Sequence, residues 1–198
     1  RSRVLESGHT IVLGWSTMVF SILAELVTAN ENKKGACIAI LADRDKVEME
    51  DEIRAKLPHT RGTRIVCRSG DPIDLDDLEI VNPRLARSVI ILSPESDNAD
   101  AQVIKMILAL TNHPNRKAEP YHIVAEIQDE RNLAVASLVG KGETELVLSD
   151  DLISKITAQT CRQSGLSVVY NELLDFNGDE IYMRCFPELD GRSYGDAL

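Results

Sequence analysis

The chain has 198 residues, of which 22 are Lys or Arg and 32 are Asp or Glu, so its formal net charge is −10. Apolar residues make up 43% and charged residues 27%, which is ordinary globular usage and excludes a disordered or low-complexity chain. The negative charge argues against nucleic acid or an anionic membrane surface as a partner of the whole chain. It is compatible with cations as partners. No apolar run approaches the roughly 18 residues of a membrane-spanning helix.

Short unbroken apolar runs alternate with amphipathic stretches along the first 148 residues. Unbroken apolar runs predict strands buried on both faces, and amphipathic stretches predict the helices that cover them. Right-handed crossovers then predict an α/β fold with a doubly wound, parallel, Rossmann-like sheet in the order 3-2-1-4-5-6. The predicted strands are 10–13, 36–42, 65–67, 89–92, 121–127 and 145–148, and the predicted helices between them are 17–30, 45–56, 74–80, 97–111 and 130–139.

The alternation ends after residue 148. A predicted helix at 150–163 is followed by a second apolar segment at 166–176 and then by a lone predicted strand at 180–184. Such elements make a poor fragment alone, so we expect a C-terminal helical arm that packs on another copy or opens a second lobe. The predicted divisions are 1–148, 149–176 and 177–198. Because the chain starts at Arg without Met, we expect it to be part of a longer protein.

The first strand-to-helix turn is the expected ligand site of this fold, because ligands bind at the carboxyl ends of the strands beside the switch point. The turn usually carries G-x-G-x-x-G, but here Ser16 and Val19 replace the second and third glycines. Ser16 limits the approach of a pyrophosphate, whereas Gly14 and the amides at the helix start still suit one phosphate or another anion. A fully bound dinucleotide is therefore less expected than a single anion.

Residues at the other strand ends complete the candidate cofactor site. Asp43 ends the second strand, where an acidic residue would bind the ribose hydroxyls, although it would equally suit a turn or a helix cap. The candidate cofactor-binding residues are Gly14, Trp15, Ser16, Thr17, Asp43, Arg44, Gly70, Asp71, Ser93 and Asn98.

The same rim of strand ends is rich in acidic residues. Hard cations such as Ca²⁺ take six to eight oxygen ligands from such groups, yet no segment matches a calcium-binding loop. Each acid taken alone is equally well explained as a helix cap or a solvated charge. The candidate metal ligands are Asp43, Asp71, Glu95, Asp97 and Asp100.

No catalytic motif stands in its expected structural context. The sequence contains no Tyr-x-x-x-Lys, and its Gly-x-Ser-x-Gly match at 191–195 does not directly follow a predicted strand, so no nucleophile elbow is expected. The four histidines and four cysteines are scattered without zinc-binding spacing. We therefore expect a protein that is not an enzyme, with reduced cysteines.

These segments together resemble the RCK domain, the regulator of conductance of K⁺, along essentially the whole chain. The resemblance lies in Gly14, Asp43, and segments 69–72, 86–92, 97–100 and 122–126. A closer resemblance, to the CASTOR/POLLUX branch of RCK-containing ion channels, lies in segments 8–16 (GHTIVLGWS), 42–46, 67–72, 161–166 and 187–191.

The resemblance implies a cytosolic gating-ring module on the cytoplasmic face of a membrane, attached to a cation-channel pore that precedes Arg1. It implies dimers of this chain that assemble into a ring, with 150–163 as the crossover helix and 166–176 as the interface arm. It also implies a role in potassium or calcium transport. Ca²⁺ is the regulator that the plant members imply, and NAD(H) or ATP are the ligands that other RCK proteins imply.

Two other functions remain open at this point. The first is a peripheral TrkA-like subunit of a K⁺ uptake system that binds a nucleotide. The second is a fragment of an NAD-dependent oxidoreductase, which would require a complete glycine motif and a proton-relay residue. A pore elsewhere in the full-length protein would distinguish a channel from a peripheral subunit.

Overall fold

The computed structural model describes residues 2–176 and 185–197, so the predicted strand at 180–184 lies outside the described residues. The described chain contains one parallel sheet in the order β3-β2-β1-β4-β5-β6, which confirms the predicted topology. The strands are β1 Thr10–Leu13, β2 Cys37–Ala42, β3 Arg64–Ser69, β4 Ser88–Ile91, β5 Ile123–Ile127 and β6 Thr144–Leu148.

Helices connect the strands in sequence order and cover both faces of the sheet. They are α1 Val19–Ala29, α2 Lys46–Lys56, α3 Leu75–Leu78, α4 Ala99–Thr111, α5 Leu133–Gly140, α6 Ser149–Arg162, α7 Leu166–Leu174 and α8 Tyr194–Ala197. Two predicted helices are shorter than expected, because α3 passes into a 3₁₀ turn at Glu79–Val81 and α5 is preceded by one at Glu130–Asn132.

Strand β5 begins two residues later than predicted. The backbone N–H of Tyr121 donates to the Glu143 carboxylate at 2.8 Å, while the ladder with β4 begins at Ile123. A side chain from another element therefore takes the hydrogen bond that a longer strand would have used.

Two apolar clusters hold the sheet between the helices. Alternate residues of β1 point to opposite faces, with Ile11 and Leu13 in one cluster and Val12 in the other. All of these side chains are fully buried, which explains why the central strands read as continuous apolar runs.

Helix starts differ in how they are capped. Asp45 accepts hydrogen bonds from two backbone amides at the start of α2, and Asp74 does the same for α3. Helix α1 has no capping side chain in its own segment and no acidic residue in its first turn. The first N–H of α1, that of Val19, donates instead to the Ser16 carbonyl at 3.1 Å.

The two helices after the sheet, α6 and α7, form the arm. They contact each other, and neither contains a buried residue. The backbone N–H of Phe176, just beyond α7, donates to the Glu25 carboxylate of α1 at 3.4 Å. Within residues 2–176 and 185–197, no helix is both long and apolar enough to cross a bilayer. The predicted division of the chain at residues 148 and 176 stays a prediction.

Gly14 is required by both its backbone and its neighbours. Its φ is +87°, and a Cβ added there would lie 3.1 Å from the Leu92 carbonyl oxygen. We expect Gly14→Ala to lower the free energy of unfolding by about 1–2 kcal/mol for the left-handed backbone, with a further loss of about 1–3 kcal/mol for the crowding. Urea unfolding of the chain would measure the change.

Gly35→Ala is the matched control for Gly14→Ala. Gly35 also has a positive φ, +73°, but nothing lies within 4 Å of an added Cβ. This variant should show the backbone cost alone, and equal losses in the two variants would contradict the importance of the close approach.

Buried His9 makes the stability of the fold depend on pH. His9 is 1% exposed, its Nε2–H donates to the Val81 carbonyl at 2.8 Å, and burial lowers its pKa below the usual value of 6.5. The unfolded chain binds this proton more readily, so stability falls as pH drops from 6.5 towards the lowered pKa, by at most about 1.4 kcal/mol per unit.

Removing the imidazole should flatten that pH profile. We expect His9→Gln to reduce the change in unfolding free energy between pH 7 and pH 5, as measured by urea unfolding at several pH values. His122→Gln, which replaces an exposed histidine, should keep the wild-type profile. A wild-type pH dependence in the His9 variant would contradict the assignment.

Candidate functional site

The carboxyl ends of the central strands surround a cavity of about 420 Å³. This volume is within the range of small-ligand sites. Its walls include Pro94, beyond β4, and Met106 of α4. The predicted cofactor residues that line it are Gly14, Trp15, Asp43, Arg44 and Asp71. The structure therefore brings half of the predicted set together at the switch point between β1 and β4.

Gly14 fixes the floor of this crevice. Its N–H donates to the Leu41 carbonyl of β2 at 2.9 Å, while the Leu92 carbonyl faces it from the end of β4. Strand β1 therefore ends tightly between its two neighbours, and the chain turns at once into Trp15.

An aromatic and cationic stack forms one wall. The Arg44 guanidinium carbon lies 5.1 Å from the centroid of the Trp15 ring, and Phe20 packs edge-on against Trp15 with ring centroids 5.6 Å apart. Arg44 also bonds to Glu52 through both terminal nitrogens and lies 3.8 Å from Glu48. Because two carboxylates compensate its charge, Arg44 presents to the cavity a fixed, flat group rather than a free cation.

The turn after β3 supplies the acidic wall. Asp71 Oδ1 accepts from the Ile73 N–H at 2.9 Å, and the Asp71 N–H donates to Asp77 Oδ2 at 2.9 Å. Gly70 does not line the cavity. A Cβ there would lie 2.8 Å from Asp77 Oδ2 and 3.0 Å from Leu41, so Gly70 serves the close packing of this turn.

Glu95 lies across the switch point from the first turn. One of its carboxylate oxygens accepts from the Thr17 N–H at 3.1 Å and from the Thr17 hydroxyl at 2.9 Å. These two hydrogen bonds hold the pKa of the Glu95 carboxyl below its usual value, so it is ionised at neutral pH. The carboxylate of Glu95 therefore lies where the amides before α1 would meet a phosphate.

Ser16 and Thr17 do not line the cavity. Ser16 is 6% exposed, and its buried hydroxyl has no hydrogen-bond partner within the described chain. A pyrophosphate at this turn would meet both the Ser16 side chain and the charge of Glu95. The residues present do not fit a bound pyrophosphate.

Asp100 and Ser93 have structural partners. Asp100 is 7% exposed, and its oxygens accept from the backbone N–H groups of Gln128 and Asp129 at 2.9 and 3.0 Å and from the Asn132 amide at 2.7 Å. Ser93 is 4% exposed, and its hydroxyl accepts from the Gln128 amide at 3.1 Å. Both residues bind the loop after β5 rather than face the crevice.

The remaining predicted residues lie on the β4–α4 loop. Asn98 Oδ1 accepts from the Ser96 hydroxyl and from the Gln102 amide, each at 3.2 Å. Asp97 is exposed to solvent. Neither lines the cavity at the strand ends.

The five candidate metal ligands do not meet. Across residues 2–176 and 185–197, no group of three or more His, Cys, Asp or Glu side chains is arranged to hold a metal ion. Asp100 accepts hydrogen bonds from the β5–α5 loop, and Glu95 accepts hydrogen bonds from Thr17. Asp43 and Asp71, in contrast, line one cavity. These two carboxylates are the part of the predicted set that shares a site.

Sequence reasoning missed the contribution of α4 to this cavity. Gln102 and Met106 both line it. Their spacing of four residues places them on one helical face, and the apolar stripe of α4 includes Met106. The sequence therefore indicated that these two residues share a face of α4. The packing of α4 on the sheet decides which end of that stripe reaches the crevice. The periodicity of the sequence does not predict this packing.

A family profile described as Castor and Pollux, part of voltage-gated ion channel, matches residues 150–198. The chain is 38% identical over 200 residues to the probable ion channel CASTOR of Oryza sativa and 37% identical over 200 residues to the ion channel CASTOR of Lotus japonicus. Both matches include all of this chain, which spans only 22% and 23% of those relatives.

Solved structures share the fold at low sequence identity. The human SLO3 gating ring matches 91% of this chain and 31% of its own, with a TM-score of 0.59 and 17% identity. The TrkA-N domain of the inner membrane protein ybaL from Escherichia coli matches 79% of this chain and 98% of its own, with a TM-score of 0.56 and 17% identity. GsuK bound to ADP matches 73% of this chain and 32% of its own, with a TM-score of 0.50 and 17% identity.

The sequence matches and the fold agree with each other and with the resemblance seen in the sequence. Over its whole length the chain is homologous to one segment of the CASTOR and POLLUX ion channels, and it has the Rossmann-like fold of the solved gating-ring and TrkA-N domains.

Proposed function

We propose that the chain is a ligand-sensing gating-ring domain that regulates a cation channel from the cytoplasmic face of a membrane. The observation that carries the proposal is the similarity of the entire chain to a segment of CASTOR ion channels, at 37–38% identity. The crevice at the switch point supplies a site for a ligand, and the arm supplies a surface for assembly. In this role the chain performs no chemical reaction.

Helix α1 offers a physical connection between these two features. Thr17, in the turn before α1, bonds to Glu95, the residue after Pro94 of the crevice wall, and Glu25, about two turns further on, meets the end of the arm at Phe176. A ligand that prefers one position of α1 would therefore also favour one position of the arm. The mechanism is a population shift, in which the ligand acts only through its difference in affinity for the two arrangements.

A ring of several domains would supply the free energy that such a mechanism needs to open a gate. Moving a gate from mostly closed to mostly open takes about 5.5 kcal/mol of differential binding. Several sites that each contribute about 1 kcal/mol would together approach this value. Assembly of copies of this chain is thus part of the proposed function.

The charge of the crevice favours a cation as its ligand, and we propose Ca²⁺. Asp43 and Asp71 line the same cavity, and the one cationic group there, Arg44, is compensated by Glu52 and Glu48. Two carboxylates do not complete the six to eight oxygens of a calcium site, so water, backbone oxygens or a neighbouring copy must supply the others. The proposed calcium ligands of this chain are Asp43 and Asp71.

A nucleotide-binding TrkA-like subunit of a K⁺ uptake system is the second proposal. Fold similarity to the TrkA-N domain favours it, but at 17% identity that similarity concerns the fold alone. The whole-chain identity to channels favours the channel role.

The crevice proposal predicts the calcium response of the full-length channel. We expect the double variant Asp43→Asn with Asp71→Asn to raise the half-activating Ca²⁺ concentration at least tenfold, because both charged ligands are removed while the shapes are kept. Single-channel recording in planar bilayers, with Ca²⁺ titrated on the gating-ring side, measures this shift.

Glu119→Gln is the matched control for the calcium test. Glu119 is exposed and precedes β5, so it lies at the opposite end of the strands from the crevice. This variant should keep the wild-type response. An unchanged calcium response in the double variant would remove Asp43 and Asp71 from the site, and a wild-type channel indifferent to Ca²⁺ would exclude Ca²⁺ as the regulator.

The assembly proposal predicts the effect of charges on the arm. Leu173 and Phe176 are 46% and 41% exposed, which is costly for large apolar side chains unless another surface covers them. We expect Leu173→Asp with Phe176→Asp to shift the chain from dimer to monomer in analytical ultracentrifugation. Ser167→Asp, which adds a charge at an exposed polar position of α7, should leave the dimer intact. A double variant that sediments as a dimer would show that the interface lies elsewhere.

A further inference from the structure

The turn immediately before α1 is already bound to an anion that the chain itself provides. The Thr17 N–H and hydroxyl both donate to one carboxylate oxygen of Glu95, at 3.1 and 2.9 Å. Glu95 lies 78 residues further along the chain, on the loop after β4. The contact therefore joins the two halves of the sheet across the switch point, where this fold places the phosphate of a bound nucleotide.

The way the neighbouring helices are capped shows why this contact forms. Helices α2 and α3 have their first amides satisfied by Asp45 and Asp74, each immediately before its own helix. Helix α1 is preceded by Met18, has no side-chain cap and has no acidic residue in its first turn. The Val19 N–H donates to the Ser16 carbonyl, and the anion at this end of the helix is Glu95, which accepts from Thr17 of the turn just before it.

Ser16 adds a second obstacle to phosphate at the same turn. In dinucleotide-binding turns the second glycine lets the pyrophosphate approach the backbone. Here the position holds a serine that is 6% exposed, and its hydroxyl oxygen is buried without a hydrogen-bond partner in the described chain. The polar surface of this turn is thus either bonded to Glu95 or enclosed by the protein.

We propose that Glu95 is a built-in occupant of the phosphate position, so that a nucleotide binds the crevice only by displacing this carboxylate. The inference rests on the proposed function only in taking the crevice as the ligand site. It assigns Glu95 as the residue that decides between ligand classes: phosphate-bearing ligands are disfavoured, and cations or phosphate-free ligands are accepted. A phosphate and the ionised carboxylate exclude each other because they are like charges competing for the same donors.

Displacement of Glu95 would also change how the sheet is held at its switch point. The same loop carries Ser96 and Asn98 next to the start of α4. A ligand that replaced Glu95 would free this loop from the turn before α1. A phosphate-bearing ligand would thus break the Glu95–Thr17 contact next to α1, whereas another ligand could leave this contact intact.

The decisive test is a gain of binding in the full-length protein, purified in detergent. We expect Glu95→Ala to bind ADP at least tenfold more tightly than the wild type in isothermal titration calorimetry, because the competing anion is gone. Glu95→Gln keeps the shape and loses the charge, so it should show a smaller gain in the same direction. Inorganic phosphate should follow ADP, and adenosine should bind all variants equally, since only the phosphate competes with Glu95.

Asp97→Asn is the matched control, because it removes one negative charge from the same exposed loop, whereas the carboxylate bonded to Thr17 is that of Glu95. Its affinity for ADP should equal that of the wild type, and a thermal melt of each variant would verify that it is folded. Equal binding of both ADP and inorganic phosphate by wild type and both Glu95 variants, or binding of neither by any of them, would overturn the proposal. An equal gain in Asp97→Asn would overturn it as well, because net charge would then explain the effect.

The outcome is independent of the gating proposal. A channel that does not respond to Ca²⁺ would exclude the proposed regulator, yet a gain of phosphate or ADP binding confined to the Glu95 variants would still support the competition. Conversely, a calcium-regulated channel whose Glu95 variants bind neither ADP nor inorganic phosphate would retain the proposed function and lose this inference.

Discussion

The close approach of β1 to its neighbours at Gly14 is the constraint on which the site depends. The Gly14 N–H is bonded to the Leu41 carbonyl, the Leu92 N–H is bonded to the Leu13 carbonyl, and the Leu92 carbonyl leaves no space for a Cβ on Gly14. The chain can leave this point only by an abrupt turn, which places Trp15 at the crevice wall and Thr17 before α1. The crevice, its aromatic wall and its anion contact all follow from this packing of three adjacent strands.

The fold was predictable because its main determinant is visible in the sequence. Fully buried parallel strands need apolar residues on both faces, and Cys37–Ala42 shows this as one unbroken run. The errors lie at element ends, where a tertiary hydrogen bond decides the last residue. Tyr121 leaves β5 because Glu143 accepts its N–H, and the predicted helix at 130–139 begins as a 3₁₀ turn because Asp129 accepts from the Arg131 N–H.

The site was predictable only in part, for a related reason. Topology brings the strand ends together, so Gly14, Asp43 and Asp71 meet as expected. Topology does not predict which carboxylates accept hydrogen bonds from backbone amides. Asp100 looks like a potential ligand in the sequence, yet the loop after β5 presents two N–H groups that only a buried acceptor can satisfy, and Asp100 is that acceptor. Glu95, another predicted metal ligand, accepts from the Thr17 N–H and hydroxyl.

The net charge of −10 suggests that the acidic residues at the strand ends bind cations. Several of them instead accept hydrogen bonds from backbone amides. A parallel doubly wound sheet places several helix starts and loop amides at one edge, and each of them needs an acceptor. Asp45, Asp74, Glu95 and Asp100 all satisfy such amides, so much of the negative charge neutralises the backbone rather than recruiting cations. What distinguishes the turn before α1 is that the acceptor of the Thr17 N–H comes from across the switch point. A local cap stabilises one helix, whereas this distant cap stabilises one arrangement of two chain segments, and any ligand that replaces it must alter that arrangement.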